Sequence, residues 1–222
     1  MNAELTMKVV NGVRFMAVLI AVLAAACIRT AAAEAAAAPG DIEGHPAQGI
    51  IEIWLSEGLA NGFEDGTFRP DNPVTRAEFV ALAERVFDLS ERSGVVFADT
   101  PEGSWYLEAL RRLHAAGAIE GFPDGTFRPD QPISRQEAAV ILHRLVAADP
   151  ADGTGATAAG IPDLAQAASW SRDAITGLVR AGYIEPSARF RPLDPLTRAE
   201  WIVWLDRRLT ERNRIRPADA KT

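Results

Sequence analysis

The stretch PVTRAEF occupies residues 73–79, and it recurs as PISRQEA at 132–138 and as PLTRAEW at 195–201. Thr or Ser followed three residues later by Glu is a capping box, in which hydroxyl and carboxylate satisfy backbone N–H groups at a helix start. The repeated stretch therefore predicts three helix starts. The predicted capping residues are Thr75, Glu78, Ser134, Glu137, Thr197 and Glu200.

An amphipathic helix is predicted after each capping box. Apolar residues follow there at close to i, i+3, i+4 and i+7, the spacing of one helix face. Their longest runs are Phe79, Leu82, Ala83 and Val86; Ala138, Ile141, Leu142 and Leu145; and Trp201, Trp204, Leu205 and Leu209.

A shorter helix is predicted upstream of each capping box. It ends at Gly58, Gly117 or Gly182, because a helix C-terminus favours a left-handed residue. Trp105 and Trp170 each stand 12 residues before the glycine of their copy. In the first copy that position is Pro46. The apolar face of the first of these helices is predicted to be Ile50, Ile53, Trp54 and Leu55.

The segment between the two helices is predicted to be extended. Asp65-Gly66 and Asp124-Gly125 are tight-turn dipeptides in the first two copies. The third copy keeps Phe190 but lacks this turn. Prolines keep the rest of the segment from becoming helical. An aspartate also precedes each copy: Asp41, Asp99 and Asp163.

The N-terminus has the layout of a secretory signal peptide. Positive charge at Lys8 and Arg14 precedes or enters an apolar run at 15–28, and small residues follow. The run is shorter than the roughly 20 residues of a membrane span, although an uncleaved anchor is the alternative. Cys27 is the sole cysteine. It is either lipidated, since LAAAC loosely resembles a lipoprotein signal, or removed with the signal peptide.

The capping box leaves the arginine beside it unexplained. Arg76, Arg135 and Arg198 place positive charge in a first helical turn, where the helix dipole disfavours it. Two explanations stay open. The arginine and free backbone N–H groups could form an anion site, or the arginine could pair with an aspartate such as Asp71 or Asp130.

Taken together, these residues resemble the S-layer homology (SLH) domain in its usual three copies. The resemblance rests on the ordered pattern Trp, Gly, Gly-Phe, Asp-Gly-Thr-Phe, Pro-Asp, Pro and Thr/Ser-Arg-x-Glu, and it covers roughly residues 41–212. It implies a mostly α fold: three helix-turn-helix repeats in a pseudo-threefold arrangement, with a central three-helix bundle and short extended segments.

The resemblance also implies grooves between repeats that bind an anionic, pyruvylated secondary cell-wall polysaccharide. Its carboxylates would suit arginine, and its sugar faces would suit tryptophan. For Trp105 and Trp170, core packing is the alternative. Because the copies differ, one or two grooves are expected to dominate binding. The ligand-binding set so implied is Arg76, Arg135, Arg198, Trp105, Trp170, Asp65, Gly66, Asp124 and Gly125, the last four as turn formers more than contacts.

The predicted organisation is a signal peptide at 1–33, a flexible segment at 34–40, repeats at 41–92, 93–148 and 161–212, a linker at 149–160 and a tail at 213–222. The predicted function is non-covalent anchoring at the bacterial cell wall. The alternative is a surface protein–protein or S-layer-associated structural role with degenerate grooves, and other cell-surface proteins are further candidate partners. Membrane association is expected only if the N-terminal segment is retained or Cys27 is lipidated.

Other function classes find no support in the sequence. A net charge of −7, with 48% hydrophobic and 24% charged residues, fits a globular protein and argues against nucleic-acid binding. His45, His114 and His143 are dispersed, so neither a metal site nor a cofactor is predicted. No catalytic constellation is recognisable, and the chain is predicted not to be an enzyme.

Overall fold

The helices of the structure follow the predicted repeat. A computed structural model describes residues 38–147, 160–185 and 189–215, with side chains to residue 210. These ranges contain six α-helices and no strand, which confirms the mostly helical fold class. The helices are α1 (Gln48–Ser56), α2 (Arg76–Val86), α3 (Leu107–Ala115), α4 (Arg135–Ala147), α5 (Ser169–Arg180) and α6 (Arg198–Ile215), with short 3-10 turns at Gly40–Ile42 and Leu164–Gln166.

Several predicted features lie outside the described residues. They are the signal peptide, Cys27, all but the last residue of the linker, and the tail after Ile215. The last helix runs past the predicted end of the third repeat at residue 212. Within the described ranges, no helix combines the length and apolar character that a membrane crossing needs.

Capping boxes start the second helix of each copy. The Thr75 hydroxyl accepts a hydrogen bond from the backbone N–H of Glu78 at 3.2 Å, and the Glu78 carboxylate accepts one from the Thr75 N–H at 2.9 Å. Equivalent bonds join Ser134 to Glu137 and Thr197 to Glu200. Each helix start is therefore fixed by its own sequence.

Three backbone hydrogen bonds form a closed ring that joins the copies. Val74 N–H donates to the Leu196 carbonyl at 2.8 Å, Leu196 N–H donates to Ile133 at 2.9 Å, and Ile133 N–H donates to Val74 at 3.0 Å. All three residues are fully buried. Each residue precedes the capping Thr or Ser of a different copy, so the ring gathers the three helix starts about a pseudo-threefold axis.

The first helix of each copy packs against the second helix of the preceding copy. Helix α3 contacts α2, α5 contacts α4, and α1 contacts α6. In the last pair, the indole N–H of the buried Trp54 donates to the Asp206 carboxylate at 2.9 Å. The third copy therefore closes back onto the first.

Stacked aromatic rings fill the contact between α2 and α6. Phe79 and Trp201 lie 4.1 Å apart between ring centroids with an interplanar angle of 17°, and neither is exposed to solvent. The equivalent position in α4 is Ala138, which is also fully buried. Two large side chains and one small one thus occupy equivalent core positions.

One predicted core position is wrong. Ile53 is 54% exposed, whereas Ile51 and Trp54 are fully buried. Consecutive helical residues point about 100° apart, so Ile53 cannot share the face that Ile51 and Trp54 present at a spacing of three. The other copies carry Arg112 and Gly177 at this position, in keeping with its place at the edge of the core.

An aspartate holds the backbone turn before each second helix. The Asp163 carboxylate accepts the N–H groups of Phe190 and Arg191, both at 2.8 Å. Arg191 has a φ of 54°, a left-handed conformation that costs a non-glycine residue about 1–2 kcal/mol. Asp41 and Asp99 hold the left-handed Arg69 and Arg128 in the same way.

Substituting Asp163 tests this turn. Burial raises the pKa of the Asp163 carboxyl, but the N–H bonds from Arg191 and Phe190 outweigh burial and hold the pKa below its usual value. We expect Asp163→Ala to lower the free energy of unfolding by roughly 2 kcal/mol, because two buried N–H groups lose a charged acceptor. Urea unfolding measures this, and the exposed Asp173→Ala is the control. Equal losses in both variants would contradict the assignment.

The Asp-Gly-Thr turns depend on a second type of carboxylate contact. The Asp65 carboxylate accepts hydrogen bonds from the Thr67 hydroxyl at 2.6 Å, the Thr67 N–H at 3.0 Å and the Arg69 guanidinium at 2.7 Å. These bonds lower the pKa of Asp65 to about 2, and the bond from the Thr67 hydroxyl has the largest effect. Asp124 has the same partners in the second copy, and its pKa is also about 2.

This lowering predicts an acid-sensitive stability. The stabilisation from a depressed carboxyl pKa is complete above the ordinary value of 3.8 and is lost as the pH falls towards about 2. The melting temperature of a variant with Asp65→Asn and Asp124→Asn should therefore fall less than that of the wild type between pH 3.8 and about pH 2. Thermal unfolding followed by circular dichroism measures this, with Asp130→Asn as the control. Identical acid profiles in all three proteins would be the contrary result.

Candidate functional site

The backbone N–H groups at the start of each second helix are engaged within the protein. Arg76 N–H donates to the Gln131 carbonyl at 3.0 Å, and Ala77 N–H donates to Pro129 at 2.9 Å. Both acceptors belong to the next copy, and Glu78 N–H is held by its cap. Helices α4 and α6 are bonded in the same way to the loops at 192–194 and 70–72. The expectation of free N–H groups beside the arginine is therefore wrong. Each helix start is covered by the proline-containing loop of the next copy, whose carbonyls accept these N–H groups.

The three capping-box arginines are buried contacts between copies. Arg76, Arg135 and Arg198 are 4%, 7% and 8% exposed. Each donates its Nε–H to a phenylalanine carbonyl in the next copy, with Arg198 closing the circle onto the first. These bonds are Arg76 to Phe127 at 2.8 Å, Arg135 to Phe190 at 2.5 Å and Arg198 to Phe68 at 3.0 Å.

Two of the three guanidinium groups pair with the capping glutamate of the next copy. Arg198 lies 3.4 Å from the Glu78 carboxylate, and Arg135 lies 2.5 Å from Glu200. The alternative that these arginines pair with an aspartate such as Asp71 or Asp130 is therefore wrong, because the packing of the copies brings a glutamate beside them instead. Burial lowers the pKa of the buried arginines, and Glu137, Glu200 and Glu78 partly offset that effect for Arg76, Arg135 and Arg198 respectively.

Aromatic rings line the space around each buried guanidinium. Arg198 lies 4.8 Å from the Phe63 ring centroid and 4.7 Å from that of Phe68. Its Nη2 also donates to the Asn61 carbonyl at 3.1 Å. Such contacts suit the flat, delocalised guanidinium and not the compact ammonium of lysine.

Two surface grooves open above two of these arginines. Groove one, of about 120 Å³, is lined by Arg198, Glu78, Asn61, Arg85 and Trp105, with Ala60, Ala81 and Leu82. Groove two, of about 200 Å³, is lined by Arg76, Glu137, Glu120, Arg144 and Trp170, with apolar residues and Gly121.

Both groove tryptophans are exposed. Trp105 is 68% and Trp170 is 58% accessible to solvent. The core-packing alternative for these residues is therefore wrong. Each tryptophan comes from the first helix region of one copy and lies beside the second helix of the copy before it, because those two helices pack together.

A second arginine in each copy was not predicted from the sequence. Arg85, Arg144 and Arg207 stand nine residues after the capping-box arginine and lie near the loop that ends the first helix of their own copy. Arg85 and Arg144 line the grooves. The recurring nine-residue interval is the signal that could have revealed them. Asp65, Gly66, Asp124 and Gly125, by contrast, line neither groove.

The surroundings that the third copy provides for Arg135 differ from those of the other two buried arginines. The Trp204 ring centroid lies 5.2 Å from the Arg135 guanidinium, and Glu200 also forms an ion pair with Arg191 at 2.6 Å. In the first two copies, Arg69 and Arg128 instead pair with Asp65 and Asp124 of the turn, which the third copy lacks. One glutamate therefore serves two arginines there.

Comparison with known proteins agrees with this repeat. The family model of the S-layer homology domain matches residues 40–80, 96–139 and 160–201. The chain belongs to the S-layer homology domain family. Domains of this family are non-catalytic modules that anchor proteins to the cell surface and bind cell-wall polysaccharide.

Curated relatives of this SLH chain are longer proteins. It is 32% identical over 167 residues to an exoglucanase, XynX, of Acetivibrio thermocellus (72% of the chain, 15% of the relative). It is 33% identical over 119 residues to a cellulosome-anchoring protein of the same species (50% and 26%). It is 26% identical over 187 residues to a surface-layer 125 kDa protein of Lysinibacillus sphaericus (79% and 16%). The chain thus corresponds to a small part of each relative.

The two arginines of groove one are predicted to differ in their effect on stability. Arg198→Ala should lower the free energy of unfolding by roughly 3 kcal/mol, because it leaves Glu78 and two carbonyls without their cation. Arg85→Ala should change that free energy by no more than about 0.5 kcal/mol, because Arg85 lies on the surface. Urea unfolding of both variants measures the difference. Unchanged stability of Arg198→Ala would mean that this arginine is not a structural contact.

Proposed function

We propose that this SLH chain attaches non-covalently to an anionic secondary cell-wall polysaccharide through grooves one and two. The observation that carries the proposal is an exposed tryptophan beside two arginines in each groove. A large aromatic side chain left in solvent offers a flat apolar surface that a sugar ring can cover. The arginines offer paired N–H donors to a carboxylate.

The buried and the exposed arginine of each groove have different roles in this proposal. Arg198 and Arg76 form the floor, where their charge is held in place by the fold and screened little by water. Arg85 and Arg144 lie at the surface, where they can move to meet a ligand. A pyruvate ketal on an amino sugar joins a carboxylate to a sugar ring, which fits this pairing of arginine with tryptophan.

The third arginine site is proposed to contribute least. Pro46 stands where the other copies have tryptophan, and Glu200 is shared by Arg135 and Arg191. The site therefore lacks a tryptophan, and its capping glutamate pairs with two arginines. Export, supported by the predicted signal peptide, would bring the chain to the wall.

Co-sedimentation with cell-wall sacculi tests the proposal. The chain should sediment with native sacculi and not with sacculi stripped of secondary polymers by acid. A variant with Trp105→Ala and Trp170→Ala should lose most of this binding. Ile53→Ala is the matched control, since it removes an exposed apolar side chain that lines neither groove.

Each alternative has its own outcome. Equal sedimentation with both kinds of sacculi would point to peptidoglycan as the ligand. Failure to sediment with either would favour the protein–protein role. Wall binding that survives loss of both tryptophans would show that the grooves are not the binding site.

A further inference from the structure

The two tryptophan-bearing grooves carry different residues at one position of the repeat. Three residues after the glycine that ends the first helix, the first copy has Asn61, whereas the second has Glu120 and the third Glu185. Asn61 lines groove one, and Glu120 lines groove two. All three residues are exposed.

The residue at this position decides the partner of the surface arginine. Arg144 lies 3.5 Å from the Glu120 carboxylate, and Arg207 lies 2.6 Å from Glu185. Arg85 instead donates to the Leu59 backbone carbonyl at 2.7 Å. Among the described residues, the ion pairs within 4.0 Å include no carboxylate partner for Arg85.

The two grooves consequently differ in charge. Groove one holds two arginines against the single carboxylate of Glu78, so its charged side chains sum to one positive charge. Groove two holds two arginines against two carboxylates, those of Glu137 and Glu120, and is neutral. Their tryptophans and buried arginines occupy equivalent positions of the repeat.

A carboxylate at a groove mouth acts on an incoming anion in two ways. It repels the anion directly over a short distance, and it competes for the arginine that would bind the anion. The competition is weak, because an exposed Arg–Glu pair is readily broken. Direct repulsion is therefore the larger effect, and a neutral asparagine removes it.

We propose that the residue at positions 61 and 120 selects which groove takes an anionic saccharide, so that groove one is the principal carboxylate site. The inference rests on the proposed function, since it concerns the same grooves. Glu120 is expected to weaken binding of a monoanionic sugar in groove two by about tenfold relative to groove one. A neutral sugar should not distinguish the two grooves in this way.

A charge swap between the grooves tests the inference. The probe is the methyl glycoside of a pyruvylated N-acetylhexosamine, and its neutral methyl ester is the matched control ligand. Titration calorimetry would compare the full chain with Asn61→Glu, with Glu120→Asn and with the double swap. Each substitution introduces a residue that the fold already carries at this position in another copy, and thermal unfolding checks that the variants remain folded.

Tryptophan variants identify which groove is titrated. In the wild-type background, Trp105→Ala should abolish the tighter site and Trp170→Ala should leave it. In the double swap the two variants should exchange these effects. Glu120→Asn alone should give two sites of similar affinity, and Asn61→Glu alone should weaken the tighter site about tenfold.

The outcomes separate this inference from the proposed function. If the wild-type chain binds neither the acid nor the ester, saccharide binding in the grooves fails and the inference fails with it. If the chain binds the acid but the tighter site stays in groove one after the double swap, saccharide binding stands and the selection inference is overturned. Equal affinity for acid and ester at the tighter site would also overturn it.

Discussion

Each repeat extends one buried arginine side chain into the edge of the next repeat, and the rest of the structure is arranged around these three contacts. Arg76, Arg135 and Arg198 each satisfy a neighbouring phenylalanine carbonyl. A neighbouring capping glutamate lies beside each of them. That glutamate also caps the helix of its own repeat. The same carboxylate therefore contributes to local helix formation and to the contact between repeats. A helix dipole alone would disfavour arginine at this position, but here the charge is balanced by groups from another copy.

This arrangement explains which parts of the fold the sequence could predict. Capping boxes, helix-ending glycines and most apolar faces involve residues close together in the chain, so their patterns can be read directly. Ile53 was misplaced because a dense apolar run does not fix which residues share a face. The free helix N-termini were wrongly expected because their acceptors, such as Gln131 and Pro129, come from another repeat.

The candidate site was predictable in part for the same reason. The repeated positions of Trp105 and Trp170 pointed to a shared role, but only the three-dimensional structure separates a groove wall from a core residue. Asp41, Asp99 and Asp163 were recognised as recurring, yet their hold on a left-handed arginine depends on backbone contacts over more than 25 residues. The partner of Arg85 likewise depends on a loop from elsewhere in the repeat.

The interleaved helix packing sets this protein apart from open repeat arrays. In a linear solenoid the terminal repeats have one uncovered face, which must be capped and which tends to fray. Here α1 packs on α6, so every helix pair is shared between two repeats and none of the described repeats is terminal in space. Breaking the α2–α3 or the α4–α5 pair removes a groove wall and a contact between repeats together. Loss of a groove and loss of cooperative folding are therefore the same structural event.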